Sequence, residues 1–477
     1  MGNVGPGASH DVDVRSRLLE EFRFEIGGED QLTEIRAKAL AETDENKLKG
    51  ILREASTDVR IRVGTLLKTD TVSFLLGAGA STGCGGVLIG SIPLEVERDL
   101  VSEGVRGTRH PRVSTWLRYF YLAAKQVVRS NVVVPTAKGE ILLRRQALDG
   151  GQAIAIAANY ETLLSTLYRW RAAIPEKGGR LRLFDNPNAD FRSQEIDECL
   201  RRAKRSLARR CRLPSPGKES GLETYKEFIR KILTRPLNLK RVHIFSLNYD
   251  TLVEQAADAE GLVLIDGFVG TLRRVFRPEC YDQDLYFPAE TTEGRVHRHD
   301  RVAHLCKLHG SLTWISEPMS MDNPYGLAGT ANASDDELVV IYPTPLKYGE
   351  TLGLPYSEMF RRFAASIVRP QSTLFVVGYG FGDDHVNTIV RQALGVPSFT
   401  LVIVDPNPRS EFVETLRAAK DPRVWVFSGK EYGTFAGFVE HALPDLRDEG
   451  IRRQIASTQR ALNTDRVSFE GDSTNGR

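Results

Sequence analysis

Short apolar runs that end abruptly in glycine or polar residues recur along the chain, and stretches of helical spacing separate them. The clearest covers residues 72–81, Val-Ser-Phe-Leu-Leu-Gly-Ala-Gly-Ala-Ser, and similar runs begin at residues 242, 302, 373 and 401. Such runs are typical of strands buried on both faces, and strands that alternate with helices form parallel sheets. The pattern predicts an α/β fold built on a doubly wound parallel sheet.

The remaining chain has mostly helical spacing. Leu18, Phe22 and Ile26 recur every fourth residue, which predicts two or three helices in an N-terminal helical extension over residues 1–68. Residues 116–240 are also mostly helical, so we expect a helical insertion at about 105–240 within a domain spanning 69–445. From residue 451 the sequence becomes polar, and residues 446–477 are predicted to be a frayed C-terminal tail.

Polar residues follow several of the predicted strands. Asn248 and Asp250 come after the run at 242, and His309 and Gly310 come after the run at 302. Doubly wound sheets bind ligands at the carboxyl ends of their strands, so these residues are candidates for a site. Each also has a purely structural interpretation: Asp250 as a helix cap, Asn248 as a turn residue and His309 as a core histidine.

Gly77 and Gly79 end the first apolar run, and they allow a sharp turn and a close approach of the backbone to a ligand. An ordinary turn between a strand and a helix explains them equally well. A second glycine-dense stretch, residues 83–93, is predicted to be a flexible loop of the kind that often covers a ligand. Cys84 within it is either a reactive thiol or a small filler of the core, and the latter is favoured.

Composition and charge bear on the partners of the protein and on its compartment. A chain of 477 residues with a formal charge of +2 gives no general electrostatic reason to bind nucleic acid or a membrane surface. The N-terminus lacks the features of a signal peptide, and no apolar run is long enough to span a bilayer. Five scattered cysteines without Cys-x-x-Cys spacing indicate reduced thiols. We therefore expect a cytoplasmic protein.

Two charged or metal-ligating clusters have competing interpretations. The basic run at residues 201–212 is either a phosphate-binding or partner-binding face, or a solvated face offset by Glu195, Asp197 and Glu198. The solvated face is favoured. Four histidines crowd into residues 297–309, but two lie in a charged loop and two have opposite parity on a strand. A metal site is therefore not expected.

Five motifs in order resemble the sirtuin family. They are Gly-Ala-Gly-Ala-Ser at 77–81, Ser-Leu-Asn-Tyr-Asp at 246–250, Lys-Leu-His-Gly-Ser at 307–311, Gly-Tyr-Gly-Phe-Gly-Asp-Asp-His at 378–385 and Val-Asp-Pro-Asn-Pro at 404–408. The set is similar to the prokaryotic sirtuin-like branch that acts in defence against phage, often beside a HerA-type ATPase or an Argonaute-like protein. The resemblance covers about residues 70–100 and 240–430 and implies a Rossmann-like NAD-binding sheet.

The resemblance also implies roles for individual residues. The diphosphate of NAD would contact Gly77, Ala78, Gly79 and Ser81. Asn248 and Asp250 would hold the nicotinamide side, His309 would be the base, and Gly310 beside it would contact NAD. The adenosine side would be lined by Gly378, Gly380, Asp405 and Asn407. Typical members carry serine or threonine where this chain has Gly380, and Arg98 is the nearest candidate for an arginine expected after the glycine-rich loop.

Deacylases of this family carry a zinc module of four cysteines after the histidine motif, and this sequence has none. The resemblance therefore favours an NAD+ hydrolase that releases nicotinamide and ADP-ribose, with NAD as substrate and no metal. It would deplete NAD in antiphage defence when a partner or phage cue activates it. Alternatives are a nucleotide-sensing module for a HerA-type ATPase, an NAD-dependent deacylase and an ADP-ribosyltransferase. A homo-oligomer is expected, without direct binding of nucleic acid or membranes.

Overall fold

A central nine-stranded sheet organises the chain. The structure is a computed structural model that describes residues 21–106, 112–128, 138–151, 160–174, 180–183, 186–288, 296–331, 338–340 and 355–457. The strands of this sheet, in spatial order, are β2 (Glu29–Asp30), β1 (Arg23–Ile26), β20 (Val424–Ser428), β19 (Phe399–Val404), β18 (Ser372–Val377), β3 (Thr71–Leu76), β8 (His243–Ser246), β14 (Val302–Lys307) and β9 (Val263–Ile265). From β20 to β9 all neighbouring pairs are parallel. The predicted α/β fold with a mostly parallel sheet is confirmed.

Strands are added first on one side of β3 and then on the other. From β3 it moves outward to β8, β9 and β14, and it then returns to β18 on the other side and continues to β19 and β20. Leu76 is in register with both Ser246 and Val377, and Ser246 is in register with Lys307. The residues after these positions therefore meet at one edge of the sheet, at the type of switch point where doubly wound sheets bind ligands.

Helices cover both faces of the sheet, because strand residues alternate between two apolar clusters. One cluster includes Phe74 and Ile244, and the other includes Leu75 and Phe245. The described helices are α1 (Thr33–Ala41), α2 (Glu45–Leu66), α3 (Ile92–Gly104), α4 (Thr115–Val128), α5 (Lys138–Asp149), α6 (Tyr160–Ala173), α7 (Ser193–Cys211), α8 (Gly221–Ile232), α9 (Leu252–Glu260), α10 (Tyr356–Ile367), α11 (Asp384–Leu394), α12 (Glu411–Ala418), α13 (Gly429–Gly433), α14 (Phe435–Gly437) and α15 (449–457). Short 3₁₀-helices occupy Ala78–Cys84, Ile89–Ser91 and Pro278–Asp282, and a π-helical turn occupies Phe438–Ala442.

A second, antiparallel sheet was not predicted from the sequence. The prolines and aromatic residues before Asp300 instead indicated an irregular segment. The spatial order of this sheet is β10 (Phe268–Val269), β11 (Arg274–Phe276), β16 (Leu327–Gly329), β15 (Gly310–Ser316) and β17 (Leu338–Val340). The remaining strands form three hairpins, β4 (Val105–Arg106) with β5 (Arg112–Val113), β6 (Arg180–Leu183) with β7 (Asn186–Arg192), and β12 (Tyr286–Pro288) with β13 (Val296–Arg298). β15 begins directly after His309, so this sheet supports one side of the candidate site.

Helices α3 to α7 enclose an apolar cluster of their own, which includes Leu117, Leu163 and Ile196. The next helix, α8, instead packs Phe228 and Ile232 into the cluster on the main sheet. The apolar run Val-Val-Val at residues 132–134 also predicts a short strand, and it lies outside the described residues.

The predicted N-terminal helices are present as α1 and α2, but the two ends of the described chain differ from the prediction. Where Phe22 and Ile26 were interpreted as helical, β1 and β2 form a hairpin that pairs antiparallel with β20. Phe24 is fully buried and stacks on Phe427 with ring centroids 4.5 Å apart. The predicted fraying from Ile451 is also wrong for residues 451–457, because they form most of α15 and bury Ile455 completely. Of the helices in the described segments, none is both long and apolar enough to cross a membrane.

Candidate active site

Two glycine turns meet back to back at the switch point. The N–H of Gly77 donates to Val377 O at 2.9 Å, and the N–H of Gly79 donates to Gly378 O at 2.8 Å. A Cβ on Gly77 would lie 2.6 Å from Gly378 O, and a Cβ on Gly378 would lie 2.4 Å from Ala80 N. Gly378 also has φ +63°, so glycine is required there for two reasons. The turns at the ends of β3 and β18 therefore pack directly against each other through their backbones.

Asn248 joins this turn to the end of β8. Its Nδ2 donates to Gly77 O at 2.8 Å and to Ser81 Oγ at 3.0 Å, and Ser81 Oγ in turn donates to Asp250 Oδ2 at 2.7 Å. Tyr225 OH lies 3.3 Å from the same Ser81 oxygen. No described residue donates to Asn248 Oδ1, so that oxygen is available to a ligand. The four side chains form a connected network that fixes the position of the Asn248 amide.

Asp250 has a second, structural role at the start of α9. Its Oδ1 accepts from Leu252 N at 3.2 Å, which is the cap predicted as the alternative to a functional role. The two carboxylate oxygens therefore serve different partners, one the helix and the other Ser81. Asp250 is only 6 % exposed, and its hydrogen bonds satisfy the buried charge.

Lys307, the last residue of β14, is buried beneath this network. Its Nζ donates to the backbone oxygen of Asp250 and lies 3.3 Å from Glu254 Oε1. Burial raises the pKa of Glu254, and the nearby Lys307 opposes that rise. The lysine thus ties β14 to the loop that carries Asn248 and Asp250.

His309 follows β14 at the same edge and is 8 % exposed. Its Nε2 lies 3.2 Å from Asp383 Oδ2, an ion-pair distance that is not aligned as a hydrogen bond. Asp383 is held firmly, because its Oδ1 caps α11 by accepting from His385 N at 3.0 Å. Phe360 packs beside His309 with ring centroids 6.3 Å apart. The histidine is therefore oriented by groups from α10 and from the start of α11.

The residues predicted to line the adenosine side lie at the ends of β18 and β19. Gly378 N donates to Val404 O at 2.9 Å, which brings Asp405 next to the glycine turn. Burial raises the pKa of Asp405, whose Oδ1 accepts from Asn407 N at 2.7 Å. Gly380 is exposed, and a Cβ there would meet nothing within 4 Å. This part of the edge is open to solvent.

Gly310 provides the turn from β14 into the second sheet. Its φ is +98°, a left-handed conformation that favours glycine. The turn is anchored on both sides, since Leu308 N donates to Ser246 O at 2.9 Å and Leu312 N donates to Tyr249 O at 3.0 Å. Its structural role is to turn the chain directly after His309.

The glycine-dense loop packs against the segment between α7 and α8. Ser215 N donates to Cys84 O at 2.9 Å, and a Cβ on Gly221 would lie 2.5 Å from Gly83 O. Cys84 is fully buried, and burial raises the pKa of its thiol to about 11. A buried, protonated thiol agrees with the interpretation of Cys84 as a small filler.

Arg98 and the basic run, which were predicted as possible ligand-binding groups, lie among the insertion helices. Arg98 donates to Leu148 O at 2.7 Å and to Glu95 Oε1 at 2.8 Å, so it joins α3 to α5. The arginines of the basic run on α7 pair mainly with acidic residues of α3; the pairs are Arg202–Glu103, Arg209–Glu103, Arg210–Asp99 and Arg210–Glu95. Of the acidic residues expected to offset the run, Glu198 pairs with Arg201 and Arg202, whereas Asp197 pairs with Arg171.

The four histidines between residues 297 and 309 are dispersed. His297 lies on the β13 hairpin, His304 faces His243 with ring centroids 5.0 Å apart, and His309 lies at the opposite end of β14. Among the residues that the structure describes, no group of three or more His, Cys, Asp or Glu side chains could hold a metal ion.

Residues 242–443 match the family model of the SIR2-like domain. These residues form a SIR2-like domain. No curated protein sequence matches the chain. The matched range contains Asn248, Asp250, His309 and the turn at Gly378, and its presence indicates NAD-related activity. The glycine turn at residues 77–81 lies outside the matched range, but β3 carries it into the centre of the same sheet.

Sequence reasoning missed three polar residues beside the SIR2-like domain's candidate site. Lys307 and Asp383 lie in motifs that were recognised, but nothing in the sequence shows that one supports Asp250 and the other contacts His309. Tyr225 lies outside the motifs, on a helix of ordinary amphipathic spacing. The one feature of Tyr225 that could have indicated a role is its polar hydroxyl on the apolar face of α8.

Proposed function

We propose that the protein is an NAD+ hydrolase that cleaves NAD+ to nicotinamide and ADP-ribose. The observation that carries the proposal is the juxtaposition, at the switch point, of a fixed Asn248 amide and a buried His309 beside the two packed glycine turns. Asn248 Nδ2 is held by Gly77 O and Ser81 Oγ, which leaves Oδ1 for a ligand. The site lies at the sheet edge where doubly wound folds bind nucleotides.

The NAD+ diphosphate is assigned to the surface of the glycine turns, residues 77–79 and 378. Gly77, Gly79 and Gly378 have no Cβ that would keep phosphate oxygens away from the backbone. The N–H groups of Gly79 and Ala80 already donate to Gly378 O and Gly77 O, so they support the turn and are not assigned to the phosphates. Ser81 is 3 % exposed and bound to Asp250, and we assign it to positioning Asn248. Gly380, Asp405 and Asn407 would line the adenosine side.

The reaction breaks the bond between the nicotinamide nitrogen and the ribose carbon. The electron pair of that bond leaves with nicotinamide, and positive charge develops on the sugar. Water then forms the new carbon–oxygen bond and loses one proton, which His309 accepts and later releases to solvent. Asn248 Oδ1 can accept a hydrogen bond from this water or from the carboxamide. A positioned base of this kind contributes about 10²–10⁴-fold in rate.

Hydrolysis is favoured over transfer to an acyl group because the sequence has no four-cysteine module to shape a peptide cleft. Burial supports the same choice. His309, Ser81 and Asp250 are each at most 8 % exposed, which suits a nucleophile the size of water.

We also propose that cleavage is held in check until a partner or phage cue releases it, because unrestricted loss of NAD+ would harm the cell. The insertion supports this idea. Helices α3 to α7 have a core separate from the sheet, and Tyr249 contacts both that core and Leu312 near the site. A homo-oligomer and a HerA-type ATPase are the assemblies proposed for this control.

The test is to incubate the purified protein with NAD+, alone and with its partner, while nicotinamide and ADP-ribose are measured. Asn248→Ala should abolish most turnover, and His297→Ala, a change of an exposed histidine on the β13 hairpin, should not. Retention of intact NAD+ without products would indicate a nucleotide-sensing module. Transfer of label from NAD+ to protein would indicate an ADP-ribosyltransferase.

A further inference from the structure

A cavity of about 370 Å³ lies at the amino end of β8 and β14, the end opposite the candidate active site. Its floor is formed by His243 and Phe245 from β8 and by His304 and Cys306 from β14. These residues share one face of the sheet, because they alternate with Ile244 and Leu305 of the other face. Helix α10 and the segment around Tyr281 form the walls. The volume is within the range of small-molecule sites.

The lining is strongly cationic. Six basic residues line the cavity, against two carboxylates, Asp282 and Asp284; the basic residues are Lys240, Arg241, Arg298, Arg361, Arg362 and Arg369. Both carboxylates are already paired with arginines. Asp284 binds Arg241 and Arg298, each at 2.7 Å, and Asp282 binds Arg362 at 3.0 Å.

Two of the basic residues have no such compensation. Arg369 donates to Ala365 O at 2.7 Å, and no carboxylate among the described residues pairs with Arg369 or Lys240. Arg235, which does not line the cavity, donates to the backbone oxygen of Lys240 and so lies close to that residue. Arg369 and Lys240 therefore line the cavity without a paired anion.

The histidines on the floor carry polar atoms that lack partners. His243 Nδ1 and His304 Nε2 are both buried, and within the described part of the chain neither has a hydrogen-bond partner. Leaving a buried polar atom unsatisfied costs about 1–3 kcal/mol, so such atoms usually mark a bound group. Burial, reinforced by His304 and Arg369, lowers the pKa of His243 to about 3, and both neutral rings could donate or accept a hydrogen bond.

We propose that this cavity binds a small organic phosphate, with the phosphate at the end formed by Arg369, Lys240 and His243. Arginine and lysine donors suit phosphate oxygens, and the site lacks the counter-charge that a phosphate would supply. Phe245 and Tyr281 provide flat apolar surface for the remainder of the ligand. The phosphate end is separate from the NAD+ site, because His243 is in register with His304, and His309 follows His304 by five positions, roughly 17 Å of extended chain.

The test uses the full chain with ¹³C-labelled histidine rings, whose signals are assigned with His243→Gln and His304→Gln. Inorganic phosphate, ribose 5-phosphate, AMP and adenosine are titrated separately at constant ionic strength and neutral pH. The phosphate-bearing probes should shift the His243 and His304 signals saturably, and adenosine should not. Tighter binding of AMP than of ribose 5-phosphate would identify a nucleotide, and the reverse would identify a sugar phosphate.

Arg369→Ala should weaken this binding by about tenfold or more, as expected for loss of one charge-assisted contact. Arg447→Ala, which removes an exposed arginine paired with Asp445, is the matched control and should change nothing. Unmoved His243 and His304 signals, or equal binding by Arg369→Ala and the parent, would overturn the proposal. NAD+ turnover by Arg369→Ala without added phosphate should equal that of the parent, so failure here is distinct from failure of the hydrolase proposal.

Discussion

His309 Nε2 lies 3.2 Å from Asp383 Oδ2, and the same aspartate caps α11 through its other oxygen. This contact joins the end of β14 to the segment after β18, across the switch point of the sheet. It gives His309 a fixed anionic neighbour on a rigid element. An imidazole that accepts a proton during the reaction would be stabilised by that charge.

Asp383→Asn should therefore lower kcat for NAD+ cleavage about tenfold or more while leaving KM within about twofold. Asparagine retains an oxygen that can accept from His385 N, so the cap and the fold should persist. Asp44→Asn is the matched control, because Asp44 caps α2 by accepting from Asn46 N at 2.8 Å and is remote from the site. Equal kcat for Asp383→Asn and the parent would show that the carboxylate does not assist His309.

Much of this edge of the sheet could be predicted from the sequence. Asn248 and His309 follow apolar runs, and the parallel register carries the ends of those runs to one level. The contact to Asp383 could not be predicted, because it depends on where α11 begins in space. The hairpin at β1 was missed for a different reason. A spacing of four, as in Phe22 and Ile26, fits a helix, but it is also a multiple of the two-residue repeat of a strand.

Three strands of the second sheet escaped prediction because they are short. β10 has two residues and β11 and β16 have three, which is too few for an alternating pattern to be distinguished from a loop. Likewise Ile451 and Ile455 are two apolar residues in a polar stretch. Their burial depends on the groove that α2 offers at Gly64, where a Cβ would lie 2.4 Å from Ile455.

The pair of the buried Lys307 and the partly buried Glu254 should contribute to stability near the site. Lys307→Met removes the cation and leaves the Glu254 carboxylate without its counter-charge, so we expect a loss of about 1–3 kcal/mol in the free energy of unfolding. Adding Glu254→Gln should recover a large part of this loss, and urea unfolding of the two single variants and the double variant measures it. Strictly additive losses would contradict the proposed coupling.

Substitution by alanine should change stability at Gly378 but not at Gly380. Gly378→Ala places a Cβ 2.4 Å from Ala80 N at a φ of +63°, and it should cost about 2 kcal/mol or more. Gly380→Ala meets nothing within 4 Å and should stay within about 0.5 kcal/mol of the parent. Thermal unfolding of both variants provides the comparison, and equal melting temperatures would refute the close packing of the two turns.

Gly380→Ser tests the adenosine side independently. The added hydroxyl has room, and one new hydrogen bond to NAD+ of about 0.5–1.5 kcal/mol would lower KM roughly two- to tenfold. Gly380→Ala supplies the control for the added carbon. A KM that is the same for serine, alanine and the parent would place Gly380 away from the substrate.

The two histidines of the cationic cavity predict a pH dependence of stability. Burial lowers the pKa of His243 to about 3 and of His304 to about 4, below the 6.5 of a free histidine. As pH falls below about 6.5, the unfolded chain takes up protons that the folded chain does not, so stability falls and the loss levels off near pH 3–4. Between about pH 7 and pH 5 each histidine should cost up to about 2 kcal/mol.

Unfolding in urea at these two pH values measures that loss. His243→Gln and His304→Gln together should make the free energy of unfolding less dependent on pH than in the parent. His297→Gln changes an exposed histidine and should leave the dependence as it is. A double variant with the full pH dependence of the parent would show that these two histidines are protonated in the folded state.

The most direct test of the central claim is the rate of nicotinamide release from NAD+ by the parent and by His309→Ala. Both proteins are assayed under the condition that activates the parent, and thermal unfolding establishes that the variant is folded. We expect the parent to form nicotinamide and ADP-ribose in equal amounts and His309→Ala to lose about 10²-fold or more of this rate. A folded His309→Ala that releases nicotinamide as fast as the parent would contradict the central claim.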